Sequence, residues 1–84
     1  MSFRQKKIYE GYVAFMGKRR DWGKFEVVDE KGRKCLLFFH ISARNNDSYK
    51  PQVGDLCDFY IVKDRYVDGQ LQYKAIKIEK VPTS

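Results

Sequence analysis

Aromatic rings and positive charges alternate in two short stretches of the chain. Trp22 and Lys24 lie two residues apart in WGKF, and Phe38 and His40 lie two residues apart in FFH. Side chains at this spacing on a β-strand point to the same side. If both stretches are strands, they present a surface of flat rings and cations. Unpaired bases stack on such rings at about 1–3 kcal/mol per base, while Lys and Arg contact the phosphates.

A run of three basic residues comes just before this pattern and would serve the same chemistry. Lys18, Arg19 and Arg20 precede Trp22 by a few residues, and a basic run alone is most often a solvated loop. Beside an aromatic surface it is well placed for a nucleic-acid backbone. The net charge of +6 agrees, and its excess lies in residues 1–42, with 10 basic against 5 acidic side chains. A basic surface indicates a polyanionic partner.

Short β-branched and aromatic runs between turn signals predict five strands, and no long stretch has a helical apolar period. The turn signals include Glu30-Lys31-Gly32 and Asp68-Gly69, and the polar stretch 41–55 is the longest connection. Five strands without a crossover helix predict an all-β fold, an antiparallel sheet closed into a small barrel. The predicted strands are 8–17, 22–29, 33–40, 56–63 and 71–81.

Alternation assigns one core face to each predicted strand. Phe25 and Val27 share a face in the second strand, while Trp22 and Lys24 point the other way. For the third strand the alternative is complete burial, because LLFF is a continuous apolar run. In that case Phe38 would be a core ring. The core face is expected to carry Phe25, Val27, Cys35, Leu37, Phe39, Cys57, Phe59 and Ile61.

The length of 84 residues leaves room for one domain. We expect a barrel over 8–81, a basic and loosely ordered extension over 1–7, and a tail over 82–84. The two cysteines are expected to be free core thiols, and a single histidine without a CxxC motif offers no structural zinc site. No apolar run is long enough for a membrane span or a signal peptide. We therefore expect a cytoplasmic monomer without a cofactor or metal.

Three stretches of the chain, within residues 11–81, resemble the cold-shock domain family. GYVAFMGKRRDWGKF is similar to the family's first strand and first RNA-contact motif, G-x-V-x-W-F-N…K-G-F-G-F-I. LFFHISA is similar to its second motif, V-F-V-H-F-S-A, and VGDLCDFYIV with the last strand is similar to its closing part. The motifs occur in the family's order and separation. The resemblance implies a five-stranded barrel of the oligonucleotide-binding (OB) type that binds single-stranded RNA or DNA.

The resemblance also implies roles for individual residues. Arg20 matches a lysine that contacts the nucleic-acid backbone, and Tyr49, in the long loop, matches a further stacking phenylalanine. The positions that match base-stacking residues are Phe15, Trp22, Phe38 and His40. Simple alternation would put Phe15 on the same face as the core residue Val13, a conflict that a bulge or sharp bend could resolve.

Four positions depart from the family's pattern. Lys24 and Ile41 stand where the family has surface phenylalanines, Gly17 replaces an asparagine, and Asp21 replaces a glycine. The first two remove stacking rings. The departures imply either that base stacking is weaker and electrostatic contacts contribute more of the affinity, or that the domain has lost nucleic-acid binding.

Two other functions and one other family remain open. A protein-interaction module on the same barrel would explain the missing rings and the basic extension. An enzyme is disfavoured, because the single histidine has no serine or cysteine nucleophile at a recognisable spacing, and the chain shows no glycine-rich phosphate loop and no paired-carboxylate cleft signature. Other five-stranded OB barrels, such as the ribosomal RNA-binding motif, have similar strand patterns. RNA and DNA are not distinguished, because stacking does not detect the 2′-hydroxyl.

Overall fold

The strands of the computed structural model, which describes residues 2–82, coincide closely with the β-branched and aromatic runs. They are β1 (Ile8–Met16), β2 (Trp22–Val28), β3 (Lys34–His40), β4 (Leu56–Val67) and β5 (Gln70–Lys80), with a short 3-10 helix at Ile41–Ala43. The prediction of an all-β, five-stranded barrel is confirmed. The fourth strand ends at Val67 rather than at 63. No helix in the described part of the chain is long and apolar enough to cross a membrane.

The sheet is mixed, so the prediction of a purely antiparallel barrel is wrong. The strands close in the order β1-β2-β3-β5-β4, with β4 returning to β1. Four neighbouring pairs are antiparallel, whereas β3 and β5 are parallel, with Phe38 opposite Lys74. The reason is geometric. A closed ring with an odd number of strands cannot alternate direction at every pair, so one pair has to be parallel.

The barrel interior is filled by the residues that alternation assigned to the core. Phe25 lies at its centre and stacks on Phe39 and Phe59, with ring centroids 4.3 and 4.4 Å apart. Cys57 is buried, whereas Cys35 is only half-buried, and both thiols are free. With Phe39 inside, its neighbour Phe38 lies on the outer face. The largest fully buried side chains are Val13, Phe25, Leu37, Phe39, Cys57, Phe59, Ile61 and Ile78.

A bulge in β1 separates two side chains that simple alternation would place together. The pairing of β1 with β2 shifts register between Val13 and Phe15. Val13 is 1% exposed and Phe15 is 49% exposed, and the extra residue between them, Ala14, is also exposed. A bulge of this kind redirects a side chain without breaking the strand. It delivers Phe15 to the outer face of the barrel.

The β4–β5 hairpin extends beyond the barrel as a two-stranded ribbon. Residues 63–70 are all exposed, and the strands there pair only with each other. Asp68 and Gly69 have φ angles of 50° and 77°, as the tight two-residue turn of such a hairpin requires. The ribbon rises beside β3, close to Phe38.

The segment before β1 folds back over one end of the barrel. Phe3 packs edge-on against Tyr9 and Tyr73, with centroids 5.5 and 5.3 Å away. Arg4 and Lys7 form ion pairs with Glu30 at 2.8 and 2.7 Å. The loose order expected for residues 1–7 stays a prediction for amide exchange to test. Met1 and residues 83–84 of the expected tail lie outside the described residues.

Candidate nucleic-acid interface

Three aromatic rings lie next to one another on the outside of β1, β2 and β3. The ring of Trp22 stacks against that of Phe38, with centroids 6.0 Å apart and planes 28° from parallel. On its other side it contacts Phe15, at 5.4 Å and 49°. Phe15 is exposed, whereas Trp22 and Phe38 are half-buried. We call these three rings, together with His40, the aromatic surface. Its rings are half-buried or exposed to solvent and do not belong to the buried core.

The register of the sheet explains how these side chains meet. Trp22 lies opposite His40, and Lys24 lies opposite Phe38 on one side and Phe15 on the other. Directly opposed residues on one face of a sheet bring their side chains into contact distance. Lys24 therefore stands between two rings. It forms no ion pair within residues 2–82, so its ammonium group is available to a ligand.

His40 is held by the chain that follows it. The backbone N–H of Ser42 donates to Nδ1 of His40 at 3.1 Å, and the Ser42 hydroxyl lies 2.9 Å from the same nitrogen. His40 is thereby the N-cap of the 3-10 helix. Because Nδ1 accepts a hydrogen bond, the neutral ring carries its proton on Nε2. The exposed ring is thus fixed in orientation, with Nε2 as the free donor.

The basic loop comprises Lys18, Arg19 and Arg20, and it turns directly beside the aromatic surface. The Gly17 and Trp22 backbones pair at 2.9 Å, and the Arg20 N–H donates to the Gly17 carbonyl at 2.9 Å. Arg20 adopts a left-handed conformation, with φ of 58°. All three basic side chains are exposed, and in the described part of the chain none forms an ion pair. The loop adds three free cations next to Trp22.

Gly17 positions the indole, a role that the sequence pattern did not reveal. A Cβ atom at Gly17 would lie 2.3 Å from Nε1 of Trp22, far inside contact distance. Only glycine leaves room for the Trp22 ring this close to the backbone. The departure from the family's asparagine therefore has a local reason. The signal could have been found only by knowing that residues 17 and 22 face each other across the turn.

Tyr49 does not join the aromatic surface. Its ring packs against the buried core, and its hydroxyl donates to Oδ2 of Asp55 at 2.7 Å. The same hydroxyl lies 3.3 Å from Sγ of Cys57. Burial, helped by these two partners, raises the pKa of Tyr49 well above its ordinary value. Burial likewise raises the pKa of the Cys57 thiol. The structure thus gives Tyr49 a packing role and brings together the other eight predicted site residues.

Side chains of β4 and β5 border the aromatic surface and were missed by the sequence pattern. Lys74 lies opposite Phe38, and its Nζ is 3.5 Å from Oδ1 of Asp64. Arg65 lies beside them on the ribbon and, like Asp64, lines clefts that adjoin Phe38. These residues are distant from Phe38 in sequence. They become its neighbours only through the parallel pairing of β3 with β5.

Comparison with known proteins bears on the fold. No protein-family model matches the chain, and no curated protein matches it. A solved structure described as Drosophila Unr CSD456 superposes on it with a TM-score of 0.66 and 25% sequence identity, over 90% of this chain and 27% of that one. The chain thus spans about a quarter of the length of that structure.

The structural match and the sequence motifs point to the same family. The two stretches that resemble the family's RNA-contact motifs occupy β1–β2 and β3, and the closing similarity occupies β4 and β5. The barrel order and the cold-shock neighbour agree with that assignment. The resemblance found in the sequence is confirmed at the level of the fold: the chain is a closed five-stranded barrel similar to that cold-shock structure.

Proposed function

We propose that this domain binds single-stranded nucleic acid, RNA or DNA, by stacking unpaired bases on the aromatic surface. Cold-shock domains are nucleic-acid-binding modules and are not typically catalytic, which supports this class of function. Lys18, Arg19 and Arg20 contact the phosphates of the bound strand. Tyr49 is left out of the proposed site because its ring packs on the core.

One observation carries the proposal: Phe15, Trp22 and Phe38 are contiguous rings outside a barrel whose core is already filled. Phe25, Phe39 and Phe59 supply the interior, so the outer rings are not needed for burial. Rings in this arrangement present stacking faces to successive bases.

Electrostatic contacts contribute an unusually large part of the affinity in the proposed complex. Lys24 occupies the middle of the surface, between Phe15 and Phe38, where a further ring would add stacking. It replaces that stacking with an ammonium group that can reach a phosphate or an acceptor on a base. The affinity should therefore fall steeply with salt, by a slope of about −0.7 in log K against log[salt] for each neutralised phosphate.

The test is a titration of the whole chain with short single-stranded oligonucleotides. Binding is measured by the fluorescence of Trp22 and by the anisotropy of a labelled strand. Trp22 is the only tryptophan. The variant Phe38→Ala with His40→Asn removes two rings, while asparagine can still cap the 3-10 helix. We expect at least tenfold weaker binding, because each ring contributes about 1–3 kcal/mol.

The matched control is Tyr12→Ala, which removes an exposed ring of β1 that lies outside the aromatic surface. It should change affinity less than twofold. Equal binding by the double variant and the control, with both folded by circular dichroism, would refute the proposal.

Exposed apolar side chains favour a second candidate, a protein-interaction module. Ile8, Tyr12 and Leu36 are 59%, 56% and 55% exposed and lie outside the aromatic surface. Failure of every oligonucleotide to bind at low salt, with recovery of a protein whose binding is abolished by Tyr12→Ala, would favour this function over the first.

A further inference from the structure

The seam between β3 and β5 is closed at a single residue pair. Phe38 lies opposite Lys74, and no other in-register pair joins these strands in the described part of the chain. Open clefts adjoin Phe38 beside this pair. One of them, of about 340 Å³, lies between the outer face of β2–β3 and the ribbon. Its lining includes Lys24, Leu36, Phe38, Asp64, Arg65 and Gln72. We call it the ribbon cleft.

We propose that the ribbon cleft holds one base of the bound strand and selects guanine through the carboxylate of Asp64. This inference rests on the proposed function and adds base selectivity to it. A strand that stacks on Trp22 and Phe38 reaches the cleft at the edge of Phe38, because that ring forms part of its wall. The cleft is thus a continuation of the stacking surface, with a carboxylate that the surface itself lacks.

The hydrogen-bonding capacity of Asp64 is not used up within the protein. Its two oxygens lie 3.5 Å from Nζ of Lys74 and 3.9 Å from Nε of Arg65, both beyond the 2.7–2.9 Å typical of a close charged hydrogen bond. The side chain of Asp64 is 28% exposed. Each carboxylate oxygen can therefore accept a hydrogen bond from a ligand.

Guanine has the matching edge. Its N1–H and N2 amino group are adjacent donors that fit the two oxygens of a carboxylate, and its O6 is an acceptor for Lys24 or Arg65. Adenine and cytosine each present a ring nitrogen acceptor on that edge, which the carboxylate would repel. Uracil offers a single donor there. Gln72 can donate or accept and does not discriminate, so the selectivity comes from Asp64.

The experiment measures binding of uridine hexamers in which one position carries guanosine, inosine or adenosine, scanned along the strand. Inosine lacks only the N2 amino group. At one position guanosine should bind at least fivefold tighter than uridine, with inosine in between. Asp64→Asn should reduce the guanosine preference below twofold, by lowering the affinity for the guanosine strand more than the affinity for the all-uridine strand.

The matched control is Asp68→Asn, which makes the same charge change at the tip of the ribbon, outside the cleft. It should retain the guanosine preference. Equal affinity of the wild type for all the strands would overturn the selectivity and leave the proposed function intact. If Asp64→Asn weakened the binding of every strand by the same factor, the proposed guanine selectivity would be overturned. Asp64 would then serve only as a structural partner of Lys74. If no strand binds the wild type, the proposed function fails and the selectivity fails with it.

Discussion

Two outer faces of the barrel are built by the same strand alternation and differ in their charged side chains. On β1–β3, rings alternate with cations, and the basic loop adds three more. On β1, β4 and β5, three carboxylates lie side by side, because Glu10 is the cross-strand partner of Asp58 and Asp58 is the partner of Glu79. We call these three residues the acidic row. Within residues 2–82 none of them forms an ion pair, and Glu79 only accepts a hydrogen bond from Asn45.

The difference shows that an OB-type strand pattern does not by itself define a binding face. Both faces expose aromatic or apolar side chains, such as Phe15 on one and Ile8 and Tyr12 on the other. Charge separates them, because a polyanion is attracted to the cations of the first face and repelled by the acidic row of the second. The acidic row also has a cost, since like charges directly opposite each other destabilise a sheet.

The largest expected difference in oligonucleotide affinity is between two variants that each lose one ring, one from each face. Phe15→Ala should weaken oligonucleotide binding by about 5- to 150-fold, the equivalent of 1–3 kcal/mol for a lost stacking contact. Tyr12→Ala removes a ring of similar exposure from the other side of the bulge and should change affinity less than twofold. Anisotropy titrations at one fixed salt concentration measure both. Equal losses would mean that the two faces do not differ in function.

Removing the charges from one face should change the salt dependence of oligonucleotide affinity, whereas removing them from the other face should not. Replacing residues 18–20 with glutamine should reduce the steepness of the salt dependence by about 2, since each lost phosphate contact removes about 0.7. Replacing the acidic row with Gln, Asn and Gln changes the net charge by the same amount in the opposite direction. It should leave the slope unchanged, because no phosphate lies against that row. If the slope of log K against log[salt] changed with net charge in both variants, the result would contradict an interface confined to the basic loop and the aromatic surface.

A third, smaller effect concerns a carboxylate that, unlike the acidic row, is fully hydrogen-bonded. Buried Asp29 accepts N–H bonds from Arg33, Lys31 and Ser2 at 3.0, 2.9 and 3.2 Å. These bonds, that from Arg33 foremost, hold the pKa of Asp29 below its ordinary value. A lowered pKa in the folded state contributes stability above the ordinary value of about 3.9, and that stability is lost as the pH falls through the folded pKa.

Asp29→Asn should therefore lower the melting temperature at pH 7 and make stability less sensitive to acid between pH 5 and 2. Thermal unfolding of both proteins across this range measures the effect. A variant that loses stability in acid as steeply as the wild type would show that Asp29 does not contribute to the acid sensitivity.

The smallest effect tests the cost of the acidic row. Asp58→Asn removes the middle charge and should raise the free energy of unfolding by about 0.2–1 kcal/mol at low salt. The gain should shrink at high salt, where exposed charges are screened. Urea unfolding at two salt concentrations measures it. A loss of stability would mean that the three carboxylates do not repel one another.

The local sequence pattern was sufficient to predict the strands, the buried and exposed face of each strand, and most of the residues that form the candidate site. Period-two alternation placed Phe25 and Phe39 inside and Trp22 and Phe38 outside, because each strand has one buried and one solvated face. Strand pairing then brought the rings together with Lys24 and His40. These contacts lie between neighbouring strands joined by short turns, so sequence order carries most of the information.

Contacts between distant segments could not be derived in the same way. Tyr49 lies in a long loop whose path depends on the whole barrel, and its ring turned inward to Asp55 and Cys57. The indole of Trp22 depends on the missing side chain at Gly17, which faces it only after the turn has formed.

The sequence by itself determined the number of strands, the content of the core and the chemistry of the outer face of β2 and β3, because these follow from side-chain alternation within each strand. Tertiary structure alone decided the parallel β3–β5 seam, the ribbon cleft and the assembly of the acidic row from three strands. Each of these depends on which strands become neighbours when the barrel closes, a condition that no single strand encodes.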